Sequence, residues 1–106
     1  MTDAIQVVPT LPKREDAEKI ASALVERRLA ACGQVMGPIH STYRWKGKVE
    51  SAEEWLCVFK TRRALYPRLE SAIREMHPYE VPEILALLVA AGSADYLKWI
   101  EEETAP

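Results

Sequence analysis

The chain has 106 residues, of which 48% are hydrophobic and 28% are charged, and its formal net charge at pH 7 is −2. This size and composition are typical of one globular domain, so we interpret residues 1–106 as a single domain. The slightly acidic balance offers no basic surface for DNA or RNA, and no apolar run approaches the roughly 20 residues that span a bilayer. We therefore expect no nucleic-acid partner and no membrane partner. Because the N-terminus lacks the basic and apolar segments of a signal peptide, we also expect a cytoplasmic location.

The first half of the chain predicts a strand, a helix and a long hairpin. Residues 4–10 are predicted to form a short strand that is ended by Pro9 and Pro12. Apolar residues then recur at helical spacing from Lys13 to Cys32, with Gly33 as the predicted stop. Residues 39–45 alternate as a strand does, and the turn signal after them leads into a return strand at 49–60.

The second half predicts a helix, a strand and a short last helix. The second helix should begin near Leu65 with Thr61 as its cap, and it must end by His77 because a proline follows. Residues 84–89 form an apolar run typical of a strand, and Ser93 can cap the last helix. The predicted order is therefore β-α-β-β-α-β-α.

This order predicts an α+β fold, a ferredoxin-like βαββαβ sandwich with a four-stranded antiparallel sheet plus a short C-terminal helix. In such a sandwich both main helices cover one face of the sheet. The strands at 55–59 and 84–89, however, are apolar at both odd and even positions, which is typical of strands covered on both faces. We therefore expect a homo-oligomer in which copies of the chain pack sheet against sheet.

The run from His77 to Glu83 is the first candidate binding site, because it places polar groups in a segment stiffened by two prolines. His77 is a metal ligand or a helix-end group that favours the C-terminal carbonyls. Glu80 and Glu83 complete a coordination sphere or are merely solvated. Tyr79 orients these groups through its hydroxyl or packs at the edge of an interface.

A second candidate site lies on the hairpin. Glu54 and Lys60 fall on the same side of a strand whose neighbours are apolar, so they form either an ion pair or a functional pair. Tyr43 and Trp45 line the same cleft or are plain packing residues.

Neither cysteine has the surroundings of a nucleophile. Cys57 lies among apolar residues and is predicted to be a core residue, and Cys32 is predicted to close the first helix in a structural role. The chain also lacks the phosphate-binding and nucleophile motifs of common enzymes. We therefore expect a protein that is not an enzyme.

Five segments of the chain carry a family resemblance through their residues, order and spacing. They are Arg28-Leu29-Ala30-Ala31-Cys32, Ser41-x-Tyr43-x-Trp45-x-Gly47, Glu54 with Lys60-Thr61, His77-Pro78-Tyr79-Glu80-x-Pro82-Glu83-Ile84, and Tyr96-Leu97-x-Trp99-Ile100. Together they resemble the CutA family of proteins linked to tolerance of divalent cations. The resemblance implies a ferredoxin-like subunit, a compact homotrimer and the binding of a divalent metal, with copper as the named candidate.

The resemblance also implies a set of metal ligands. In family members described as copper binding, a cysteine ends the first strand and a pair of histidines precedes the Pro-Tyr step. Here those positions hold Pro9, Met76 and His77, so only His77 matches. A thioether beside an imidazole is a suitable soft environment for Cu(I). The predicted metal ligands are accordingly Met76, His77, Glu80 and Glu83.

Two functional hypotheses follow. The leading hypothesis is a CutA-like homotrimer that binds divalent metal and takes part in tolerance of metal ions. The alternative is a trimeric signalling or scaffold protein that binds a small anionic ligand or a partner protein in clefts between subunits, by analogy with trimeric nitrogen-regulatory proteins. Its cleft residues would be Tyr43, Trp45, Glu54, Lys60 and Tyr79.

Overall fold

A computed structural model describes residues 2–106, and within that range the predicted order of elements is confirmed. The strands and helices are β1 (Ala4–Leu11), α1 (Arg14–Glu26), β2 (Cys32–Trp45), β3 (Lys48–Arg62), α2 (Tyr66–Met76), β4 (Ile84–Leu88) and α3 (Ala94–Glu103), with a 3-10 turn at Arg63–Leu65 before α2. No helix within residues 2–106 is long and apolar enough to cross a membrane.

The strands form one antiparallel sheet in the order β2-β3-β1-β4. β1 lies inside the sheet, where Val7 is opposite Phe59 of β3 on one side and Ala86 of β4 on the other. This order, together with a helix after β1 and another after β3, is the ferredoxin-like arrangement. The predicted α+β fold class is therefore confirmed.

Helices α1 and α2 cover one face of the sheet. In β1, β3 and the first part of β2, alternation points the odd-numbered residues toward the helices, whereas in β4 the even-numbered residues face them. The main core combines those strand residues with the apolar stripes of the helices, including Val7, Cys57, Phe59, Ile20, Leu24, Leu69 and Ile73. Cys57 is completely buried, as predicted, and burial raises the pKa of its thiol to about 12.

The opposite face, which we call the open face, carries exposed apolar side chains in the single chain. Leu85 and Leu87 of β4 and Met36 of β2 are exposed, although a sheet face in water is normally polar. Alternation places Val58 and Lys60 of β3 on the same face. The apolar character at both odd and even positions therefore reflects two chemically similar faces, of which the helices cover one.

Two sequence-based boundaries were wrong. α1 ends at Glu26 rather than at Cys32, because Arg28 adopts a left-handed backbone conformation with φ 59° and turns the chain toward β2. Cys32 therefore begins β2 instead of closing the helix. Thr61 belongs to β3 rather than capping α2, and its hydroxyl donates to the Leu29 carbonyl at 2.7 Å.

The predicted hairpin and the last cap are confirmed. Lys46 and Gly47 both have positive φ, at 49° and 81°, as a tight two-residue hairpin turn requires. β1 ends at Leu11 opposite Trp55, so residues 39–54 extend beyond it as a two-stranded ribbon, which we call the arm. At the other end of the chain, the Ser93 hydroxyl accepts from the Tyr96 N–H at 3.3 Å and caps α3.

Candidate functional site

His77 anchors the loop that follows α2. The side chain is buried, its Nε2 lies 2.7 Å from the Thr10 carbonyl oxygen, and its Nδ1 accepts from the Tyr79 N–H at 3.1 Å. A ring that accepts at Nδ1 and donates at Nε2 is the neutral tautomer with its proton on Nε2. Both nitrogens of the predicted metal ligand are therefore engaged by backbone groups, one on β1 and one in the loop itself.

Tyr79 connects this loop to the sheet. Its hydroxyl donates to Glu54 Oε2 at 3.0 Å, and its ring lies 4.9 Å from the His77 ring, centroid to centroid. Burial, the hydrogen bond to Glu54 and the charge of that carboxylate raise the pKa of Tyr79 to about 12. The phenol therefore stays protonated at neutral pH and acts as a donor to Glu54.

The arm and the loop enclose an open groove of about 820 Å³, which we call the arm groove. Four of the predicted cleft residues line it, namely Tyr43, Trp45, Glu54 and Tyr79. Two of the predicted metal ligands, Glu80 and Glu83, line it as well. The structure therefore merges most of the two predicted sites into one groove.

Lys60 lies outside the arm groove. It shares a face of β3 with Glu54, as predicted, but six residues along a strand correspond to about 20 Å. Its ammonium donates to the Gln34 amide oxygen on the neighbouring strand β2. Among the ion pairs within residues 2–106, neither Lys60 nor Glu54 takes part, so the two do not form the ion pair that was one reading of their placement.

The arm groove is acidic. Its lining includes four carboxylates, against one guanidinium from Arg44. Within the groove these charges attract cations and repel anions, and both effects weaken as the salt concentration rises. The groove therefore favours cations, and its charge opposes the small anionic ligand that is one of the two partners named by the alternative hypothesis.

The predicted metal ligands do not converge in the single chain. Met76 and His77 are absent from the groove lining, whereas Glu80 and Glu83 are exposed at its edge. No three His, Cys, Asp or Glu side chains anywhere in residues 2–106 come together in a group that could hold a metal ion. The donor set of one chain therefore does not fit a preformed copper or zinc site.

Sequence reasoning missed one carboxylate of the groove. Glu50 lines it and lies directly opposite Tyr43 across the hairpin. The turn at Lys46 and Gly47 fixes this register, so counting outward from the turn would have placed Glu50 beside a predicted cleft residue. Thr10 of β1 was also missed, because its position in the groove depends on pairing between strands that are distant in sequence.

Comparisons with known proteins agree over nearly the whole chain. Residues 5–103 match the family described as CutA1 divalent ion tolerance protein. A divalent-cation tolerance protein CutA from Thermus thermophilus is 45% identical over 98 residues, which cover 92% of this chain and 95% of that protein. Human protein CutA is 45% identical over 95 residues, which cover 90% of this chain but 53% of the human protein.

Solved structures give the same result for the fold. The structure of the Thermus thermophilus protein superposes with a TM-score of 0.94 at 43% identity, covering 96% of this chain and 99% of that one. A CutA structure from Xylella fastidiosa superposes with a TM-score of 0.95 at 36% identity, covering 98% of this chain and 100% of that one. The match in sequence and the match in structure extend over the same residues, and the chain belongs to the CutA1 divalent ion tolerance family.

Proposed function

We propose that this protein acts in the tolerance of divalent cations, and that it binds such ions with low affinity at the outer edge of the arm groove. Membership in the CutA1 family supports the role. The observation that carries the location is the excess of carboxylates in the groove lining. Glu80 and Glu83 are the proposed contacts, because both are exposed and a cation reaches them without disturbing the buried His77.

Low affinity follows from the donor set. Copper and zinc bind tightly where several imidazole or thiolate donors converge, whereas scattered carboxylates hold such ions mainly by charge. Divalent copper is the named candidate, and we expect zinc to compete with it at the same carboxylates. The His77 ring would become a ligand only after it had lost one of its two backbone partners.

Calorimetry with Cu(II) and Zn(II) tests this site. The double variant Glu80→Gln/Glu83→Gln removes two groove charges, and Glu101→Gln/Glu102→Gln on the exposed side of α3 removes the same charge elsewhere. We expect the groove variant to lose most of the metal binding and the α3 variant to keep it. Equal affinities for wild type and the groove variant would remove Glu80 and Glu83 from the site.

We also propose that the working form is a homotrimer built through the open face. Exposed Leu85, Leu87 and Met36 on that face support this proposal, because burial between copies removes their apolar surface from water. Sedimentation equilibrium measures the number of subunits directly. A monomer at micromolar concentration would contradict the proposal.

A cytoplasmic location and a binding role without catalysis complete the proposal. Both cysteines are free thiols in the structure, which is consistent with a reducing compartment. The Cys57 thiol has a pKa of about 12, and the His77 ring is held by two backbone groups, so neither is suited to act as a nucleophile or a general base. Fractionation of cells that express the protein tests the location.

A further inference from the structure

Glu54 is a buried carboxylate without a cationic partner. Its side chain is 6% exposed, yet none of the ion pairs within residues 2–106 includes it. A buried charge is costly unless a charge of opposite sign or several hydrogen bonds compensate it. One phenol donor, Tyr79 at 3.0 Å, is a partial compensation only.

The uncompensated charge belongs to the lining of the arm groove, so a dissolved cation can reach it. The Tyr79 ring lies beside it, and Tyr43 and Trp45 line the same groove four and six residues along β2 from Ile39, the residue opposite Glu54. Aromatic faces attract cations, and the attraction increases where water is excluded.

The surroundings of Glu54 favour an organic cation over a bare metal ion. Metal ions require several donors at short distances, and no such group of donors exists among residues 2–106. An ammonium or guanidinium group instead requires one or two acceptors for its N–H groups and apolar or aromatic surface for its carbon atoms. Glu54 supplies the acceptor, and the rings of Tyr79 and Tyr43 supply the surface.

We propose that the arm groove binds a small organic cation that carries N–H groups, with the Glu54 carboxylate as its counter-charge and the aromatic side chains as its walls. Glu80 and Glu83, on the loop that carries Tyr79, offer a place for a second positive group, whereas Glu50 lies four residues, or about 13 Å, along β3 from Glu54. A diamine should therefore bind more tightly than a monoamine of the same length. This inference does not rest on metal binding, because its counter-charge is Glu54, which the proposed metal site does not use; only the place for a second positive group is shared with Glu80 and Glu83.

Titration of the full-length protein with three four-carbon probes tests the chemical class. The probes are putrescine, butylamine and 1,4-butanediol, which carry two, one and no positive charges on similar chains. Calorimetry or NMR shift changes at Tyr43, Trp45 and Tyr79 report binding. We expect putrescine to bind more tightly than butylamine, and butanediol to cause no saturable change.

Glu54→Gln and Glu53→Gln form a matched pair for the residue itself. Both remove one charge from adjacent positions on β3, but Glu53 is exposed and absent from the groove lining. We expect Glu54→Gln to weaken putrescine binding by at least about tenfold, since it removes a charge-assisted hydrogen bond, and Glu53→Gln to leave it within about twofold.

Three results would overturn the inference. The first is absence of putrescine binding by a wild-type protein that still binds metal. The second is equal weakening by Glu54→Gln and Glu53→Gln, which would indicate a nonspecific charge effect. The third is loss of the oligomer in Glu54→Gln without amine binding by wild type, which would indicate that Glu54 pairs with a basic side chain of a second copy.

Tyr79→Phe is the second variant, for use if Glu54→Gln fails to fold. It keeps the aromatic ring and should weaken putrescine binding, because Glu54 loses the hydroxyl that orients it.

Discussion

His77 has a positional role that follows directly from its two hydrogen bonds. The ring joins β1, through the Thr10 carbonyl, to the loop, through the Tyr79 N–H. Because Tyr79 in turn contacts Glu54, the orientation of the buried carboxylate depends on an imidazole that does not line the groove. His77 is therefore a positioning residue for the groove.

The substitution His77→Ala tests this role. It leaves two backbone polar groups without their partner, and a buried unpaired group costs roughly 1–3 kcal/mol. We expect a loss of about 2 kcal/mol in the free energy of unfolding, measured by urea denaturation at a fixed protein concentration. His77→Gln retains a donor and an acceptor and should lose less. Equal stability of wild type and His77→Ala would contradict the anchoring role.

The contact between Tyr79 and Glu54 predicts a measurable titration. Burial and the adjacent carboxylate raise the pKa of Tyr79 to about 12, above the ordinary value of about 10. The difference in tyrosinate absorbance at alkaline pH between wild type and Tyr79→Phe should therefore have its midpoint near 12. In Glu54→Gln the midpoint should move toward the ordinary value, whereas Glu53→Gln should leave it in place.

The same shift predicts how stability depends on pH. A group whose pKa is raised on folding contributes stability that is complete below its unfolded pKa and is lost as pH rises through the folded value. For Tyr79 this interval runs from about pH 10 to about pH 12. Urea denaturation between pH 9 and pH 11 should therefore show a smaller loss of stability for Tyr79→Phe than for wild type.

At the scale of single residues, the sequence identified most of the residues that line the groove, but it did not predict the contacts that these residues make. Tyr43, Trp45 and Tyr79 were identified because aromatic residues on a hairpin and in a stiff loop are conspicuous. The engagement of both His77 nitrogens could not be predicted, because the Thr10 carbonyl is 67 positions away in the chain. Lys60 was grouped with Glu54 because alternation identifies the face of a strand but not the distance along it.

Among the elements, α1 packs closely on the sheet because β2 has a glycine beneath it. A Cβ at Gly33 would lie 2.9 Å from Phe59 Cε1 and 3.0 Å from Ala21 Cβ. Gly33 was predicted to end the first helix, and it serves instead to bring that helix close to the strand. The sequence therefore indicated a local role for Gly33 at a helix end, whereas its role in the structure is in tertiary packing.

The substitution Gly33→Ala tests the close approach. We expect it to lower the free energy of unfolding by about 1–3 kcal/mol, because an extra methyl group in a packed core forces neighbouring atoms apart. Thermal or urea denaturation measures the loss. At Gly47 an added Cβ meets nothing within 4 Å, so Gly47→Ala should show only the backbone cost of its positive φ, about 1–2 kcal/mol. A stable Gly33→Ala variant would mean that α1 can shift without cost.

The periodicity of the sequence predicted the type of each element and failed at two boundaries. Leu29, Ala30 and Ala31 are buried and continue the helical spacing of α1, although they form the connection to β2. Buried connecting residues carry the same apolar signal as a helix face, so the pattern could not separate them. Thr61 resembled a cap because a hydroxyl residue just before a helix is typical of one. Its hydroxyl instead satisfies a carbonyl in that same connection.

For the whole molecule, the main feature that a stable monomer would lack is the open face, an apolar sheet face that the single chain leaves uncovered. β4 is an edge strand, and its outward side chains on the open face are apolar. Exposed apolar edge strands associate with other chains unless something covers them. The proposed trimer satisfies this requirement with copies of the same surface.

A charge on the open face should separate the copies. We expect Leu87→Glu to reduce the sedimentation-equilibrium mass from that of an oligomer to that of a monomer. Its unfolding temperature should be lower than that of wild type and should no longer depend on protein concentration. Val25→Glu introduces the same charge at an exposed apolar residue of α1 and should leave the mass unchanged. An unchanged mass for Leu87→Glu would place the interface elsewhere.

The arm has a consequence for how occupancy of the groove can be detected. Its two strands pair only with each other over residues 39–54, whereas the opposing loop is tied to β1 through His77. An isolated two-stranded ribbon is marginally stable and opens locally more often than a full sheet. A ligand that contacts both walls therefore slows amide hydrogen exchange mainly in the arm, and residues 42–51 become the most responsive reporters of binding even for ligands too weak for calorimetry.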